Sequence, residues 1–160
     1  MRSCARWELN YTKAMARFFT LEQAQQLVPE VRRMLNEAVE ARAELEESQQ
    51  EIAECMRKAH QMGGVDLDTG RLVLLRKRVD ELGKKLKEIL DQFEELGIQV
   101  KDLNIGLVDF PTKYRGEEVL ICYQLNETGV GYWHGLDEGF RGRKRIDRDF
   151  LDHHEGDLVH

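Results

Sequence analysis

The sequence predicts an α+β protein: a long antiparallel helical hairpin, coiled-coil-like, followed by a small three- to four-stranded antiparallel sheet. Three observations carry this. Apolar residues between Met34 and Leu96 recur at alternating spacings of three and four, a Gly63-Gly64 pair interrupts that run, and beyond Gly97 the period drops to two.

The ordered chain is expected to begin near Phe18, with residues 1–19 a poorly ordered N-terminal extension and Met15 an alternative translation start. Thr20-Leu21-Glu22-Gln23 reads as a capping box, a hydroxyl for free amides followed three residues later by a glutamine that can reach back. Pro29 has no N–H and restricts Val28, which predicts a short helix ending near Val28 and a second one running to about Gln61. Gly63-Gly64 stops that helix. Residues 65–70 turn the chain, Asp68 or Thr69 caps a third helix from about Arg71, and Gly97 closes it after Leu96.

The third helix presents Leu72, Leu75, Val79, Leu82, Leu86, Ile89, Phe93 and Leu96 as one seam. The preceding one offers Met34, Ala38, Ala41, Leu45, Ser48, Ile52, Cys55 and Ala59. Folded back at the glycines, Ala59 falls opposite Leu72, Ile52 opposite Val79 and Leu45 opposite Leu86. The acidic side of one helix, with Glu44 and Glu51, then lies beside the basic side of the other, with Arg76 and Arg78. Residues 20–97 are thus read as a short helix plus a helical hairpin.

Period-two alternation predicts strands over 98–103, 106–110, 119–125 and 130–134. A meander over residues 98–140 is the economical topology, with Val119, Ile121, Tyr123, Leu125 and Tyr132 on the face packed against the hairpin and residues 111–117 as a connection. Residues 141–160 lack a period and are read as a polar tail.

A chain of 160 residues is long enough for one domain and too short for a large multidomain enzyme. Its formal charge of -6 gives no global footprint for phosphate backbones, which argues against nucleic acid as a partner; a basic cluster at Arg141, Arg143, Lys144, Arg145 and Arg148 has acidic residues close behind it. Cys4, Cys55 and Cys122 are isolated, without the spacing of a disulfide framework or a structural zinc site, which favours a reducing, cytoplasmic setting. No run approaches the roughly 18 apolar residues of a membrane span, and no signal-peptide core is legible.

Four blocks then stand out together: Phe19 to Ala24 with Leu27 to Glu30, Val100 to Leu103, Gly106 to Pro111, and Tyr132 to His134 with Gly139 to Arg143. In order and spacing they resemble the uncharacterised prokaryotic family known as domain of unknown function 2203. The resemblance extends over about Phe19 to Arg143 and implies no reaction, cofactor or partner.

The candidate polar cluster is Asp102, Asp109, Trp133, His134, Glu138 and Arg143. With Asp109 and His134 on neighbouring strands, the carboxylate would orient the imidazole for acid–base work or for holding a metal; a structural hydrogen bond is the simpler reading. No nucleophile, cofactor motif or metal-ligand set accompanies them, so no catalytic residue, cofactor or metal is assigned. Asp66-Leu-Asp68-Thr-Gly70 departs from a calcium loop, with Lys77 at the position that requires Glu, and His153, His154 and His160 read as ordinary tail residues. The leading expectation is a non-catalytic interaction or self-association module, its partner a protein or a second copy. The alternative is a small enzyme or a ligand- or metal-binding protein using Asp109 and His134 beside Trp133.

Overall fold

The computed structural model describes residues 17–64 and 67–157; the expectations for residues 1–16, for the 65–66 part of the turn and for His160 lie outside them. The chain is α+β, with two long antiparallel helices, α1 (Leu21–Gln61) and α2 (Thr69–Leu96), leading into a six-stranded antiparallel sheet. The described residues form a sheet-bearing unit, up to Asn36 and from Asp91 onward, and a helical unit, Glu37–Leu90.

The helix ends follow the sequence closely. Gln23 N donates to Thr20 Oγ1 at 3.1 Å while Thr20 N donates to Gln23 Oε1 at 3.0 Å, the reciprocal bonds of the capping box. Gly63 and Gly64 have φ of 66° and 80°, and Gly64 N donates to Ala59 O, closing α1. Arg71 N donates to Asp68 Oδ1 at 3.0 Å, and Ile98 N reaches back to Phe93 O past Gly97. Pro29 does not divide α1, which is continuous from Leu21. Ala24, Val28, Val31, Met34 and Leu35 are all buried along one face of this stretch, and that burial outweighs the one backbone bond a proline removes.

Within the helical unit the seam residues Ala41, Ser48, Ala59, Leu72, Leu75, Leu82 and Ile89 are buried. The register differs from the expected one. Arg71 pairs with Glu51 at 2.6 Å and Arg78 pairs with Glu44, which slides one helix against the other by about one heptad. A seven-residue repeat presents the same apolar faces after such a slide, which leaves the choice to charge pairing and the connecting loop.

The strands β1 (Gln99–Asp102), β2 (Leu107–Tyr114), β3 (Glu117–Gln124), β4 (Tyr132–Gly135) and β5 (Lys144–Arg145) lie in chain order across the sheet. The sequence reading missed the second half of β2 because Pro111 lies inside it. Phe19 N donates to Pro111 O at 2.7 Å, and in an antiparallel ladder a residue's N and O point the same way. The absent N–H of Pro111 therefore falls on the side away from β3, where no ladder bond is lost. The reversal to β3 is a two-residue turn, Arg115 and Gly116, both with positive φ (52° and 84°), the geometry that suits a tight hairpin.

Residues 141–157 are folded rather than part of a polar tail. After β5 come helix α3 (Arg148–His153) and β6 (His154–Glu155), which pairs with Lys113 and Tyr114 of β2. Phe150, 1% exposed, sits among Tyr114, Trp133 and His154 with ring centroids 5.1 to 5.4 Å apart. His154 accepts from Leu21 N at the start of α1, and Asp157 N donates to Phe18 O. A Cβ on Gly156 would lie 2.3 Å from Thr20 N, so only glycine permits this approach. The polar composition hid one apolar anchor, Phe150. Residues 17–19 likewise belong to the fold: Phe19 is fully buried and meets Phe110 edge to face at 5.3 Å.

Two outcomes are expected in urea denaturation. Phe150→Ala destabilises the protein by about 3–5 kcal/mol, as for a buried aromatic, where a tail substitution would cost nothing measurable. Pro29→Ala stabilises by up to about 3 kcal/mol, since the continuous helix regains its missing bond.

Candidate functional site

Strand alternation sorts the central sheet into two faces. Val108, Phe110 and Thr112 of β2 pair with Tyr123, Ile121 and Val119 of β3, and Ile121 pairs with Trp133 of β4. This face carries Tyr123, whose hydroxyl accepts from Arg32 Nε of α1 at 3.2 Å. Leu107, Asp109 and Pro111 lie on the opposite face with Leu120, Cys122, Tyr132 and His134. Tyr132, expected with the first set, belongs to the second because it pairs with Cys122.

On that second face Asp109, Cys122 and His134 converge. All three are buried, at 1%, 0% and 3% exposure, and their potential ligand atoms lie within 4.8 Å of one another. Asp109 and His134 are not on neighbouring strands; β3 lies between β2 and β4, and the side chains meet over it beside Cys122. His134 Nε2 stands 3.1 Å from Asp109 Oδ2, and Nδ1 stands 2.8 Å from Gly135 O. A carbonyl only accepts, so Nδ1 carries a proton and donates it, which turns the remaining nitrogen toward Asp109.

Burial governs the electrostatics here. It raises the Asp109 pKa above the usual carboxylate range, against the opposing pull of His134. Burial, and then the neighbouring Asp109 carboxylate, push the Cys122 thiol up to about 12. Cys122 is thus a protonated thiol rather than an activated nucleophile. Asp109 Oδ1 is buried without a hydrogen-bond partner.

The other predicted residues take different places. Arg143 stacks over Tyr132 at 4.1 Å and Phe140 at 4.7 Å and pairs with the half-buried Glu127, while its Nε is buried without a partner. Glu138 is exposed; its carboxylate accepts from Gly135 N at 2.7 Å and meets Lys144 at 3.1 Å, and the Gly135 amide and then Lys144 hold its pKa below the usual value. It fixes the turn that follows His134. Asp102 makes a local turn, accepting from Asn104 N at 2.8 Å, and stays apart from the cluster. Trp133 is on the first face, packed against Tyr114 and Phe150 with Lys144 Nζ 4.6 Å above its ring. The open pocket of Asp109, His134 and Trp133 is therefore not formed. Arg143 and Lys144 of the basic cluster are engaged with acidic partners.

Cys122 and Glu127 were missed by the sequence reading. The signal for Cys122 was its parity: it alternates with Ile121 and Tyr123 and so had to face away from them. Among the described residues a groove runs along Thr20 to Gln26, Val130 and Leu151 to Gly156, and none of the predicted site residues lines it. No helix among them is long and apolar enough to cross a membrane.

A family model described as "Uncharacterized conserved protein (DUF2203)" matches residues 17–146. No curated protein and no solved structure matches this chain.

Truncating the carboxylate tests the buried contact. Asp109→Ala leaves the inward nitrogen of His134 without a partner and is expected to cost about 1–3 kcal/mol in urea denaturation. Asp109→Asn can donate to that nitrogen, and most of the loss is expected to be recovered.

Proposed function

The chain belongs to the uncharacterized conserved family DUF2203, a description that assigns no reaction, and we propose from its surfaces that it is a non-catalytic self-association module whose partner is a second copy of itself. The observation that supports this lies on the helical unit. Val73 and Leu74 are 66% and 63% exposed, and Met62 is 59% exposed, although Leu72, Leu75, Leu82 and Ile89 of the seam are buried. Val73 and Leu74, each one helical position from buried Leu72 and Leu75, are large aliphatic side chains that the fold itself leaves in water.

The surroundings of Leu74 favour a copy over a different protein. Glu44, Glu47 and Glu51 from α1 and Arg71 and Arg78 from α2 line one groove with Leu74. Both signs of charge flank one apolar centre, already joined to each other as the Arg71–Glu51 and Arg78–Glu44 pairs, so a second copy related by a two-fold axis would meet a neutralised rim around Leu74. The protonated thiol and sealed imidazole of the sheet support a non-catalytic reading.

Light scattering over the micromolar range checks this. The wild-type protein is expected to dimerise, and Leu74→Glu to weaken dimerisation about tenfold or more while leaving the thermal melt within about 0.5 kcal/mol of wild type. A wild-type protein that stays monomeric at about 100 μM, or a Leu74→Glu variant that dimerises as well as wild type, removes the proposal.

A further inference from the structure

We propose that Asp109, Cys122 and His134 form a binding site for one thiophilic divalent cation of the zinc class, on the face of β2, β3 and β4 that they share. Each supplies one ligand atom, of three kinds: carboxylate oxygen, thiolate sulfur and imidazole nitrogen. Tetrahedral zinc, with bonds of about 2.0–2.3 Å, holds its ligand atoms about 3.3–3.8 Å apart. Here His134 Nε2 and Asp109 Oδ2 are 3.1 Å apart, and all three ligand atoms fall within 4.8 Å of one another. Side-chain adjustments of under an ångström close that difference.

Two further features fit a cation at this point. His134 donates Nδ1–H to Gly135 O, the second bond that fixes a metal-binding imidazole and aims its other nitrogen at the ion. Asp109 Oδ1 is buried with no conventional donor, an expensive arrangement for an acceptor that has only hydrogen bonds to rely on.

Charge selects the class of cation. One carboxylate and one thiolate neutralise a divalent ion, so the loaded site carries no net buried charge. Calcium and magnesium require six or more oxygen ligands, and this set offers a single carboxylate. Sulfur and imidazole favour zinc-class ions. The exchange balances: the ion enters, and the thiol proton of Cys122 and the proton shared between Asp109 and His134 leave to solvent. The three side chains supply three of the four positions of a tetrahedral site. The scatter of the cysteines along the chain excluded a local zinc knuckle; it does not exclude a site assembled by three strands.

The test titrates cobalt(II) into the full-length, chelator-treated protein and follows absorbance. One equivalent per chain is expected, with visible d–d bands and a near-ultraviolet thiolate-to-cobalt charge-transfer band, both erased by one equivalent of zinc. Cys122→Ser is expected to lose the charge-transfer band and at least about a hundredfold in affinity, and Cys55→Ser to keep both. Absence of the charge-transfer band in the wild-type protein overturns the proposal whether or not any variant folds. So does a band that survives Cys122→Ser, which would place the ion on another cysteine, or binding abolished only by removing His153 and His154. The oligomeric state of the protein enters none of these readouts.

Discussion

The register of three strands is the constraint on which the sheet and its candidate site depend. Asp109 pairs with Cys122, and Leu120 with His134, so three polar side chains from three separate stretches face the same way. Slipping any one strand by a single residue would turn its polar group to the opposite face and bring an apolar neighbour into its place. The register is held at both ends. The Arg115-Gly116 turn joins β2 to β3, and at the far end Leu125 N donates to Gly106 O, where a Cβ on Gly106 would lie 2.6 Å from that of Leu125.

Much of the architecture was legible because local chemistry decides it. The capping box at Thr20, the glycine stops after Gln61 and Leu96, and the Asp68 cap each depend on residues within one helical turn of each other. The parts that were not legible depend on something distant. Pro29 breaks helices by propensity, but the buried face from Ala24 to Leu35 overrides it. The heptad seam fixes which faces meet and leaves the register degenerate, and the slide became visible only through the Arg71–Glu51 and Arg78–Glu44 pairs. The folded C-terminal segment depends on Phe150 and on strand pairing with β2, neither of which leaves a periodic trace in a polar stretch.

The site was half legible for the same reason. Asp109 and His134 were recognisable by residue type, and their side chains meet across β3. Trp133 was drawn in by adjacency in sequence, yet adjacency in a strand means opposite faces. Cys122 was set aside because its sequence neighbours include no ligand; its spatial neighbours are the two residues already singled out. Residue spacing along a chain identifies sites carried by one loop or helix and is nearly blind to sites that a meander assembles.

The helical and sheet-bearing units thus divide the physical problem. On the helices, exposed apolar and charged edges remain after the internal seam is satisfied; on the sheet, polar groups are sealed where water cannot serve them. The imidazole nitrogens of His134 test that sealed contact most directly, by long-range proton–nitrogen NMR correlation. A protonated Nδ1 whose hydrogen exchanges slowly with solvent is the expected result. A bare Nδ1, or a ring proton that exchanges as freely as those of an exposed histidine, would contradict the buried arrangement of Asp109, His134 and the Gly135 carbonyl.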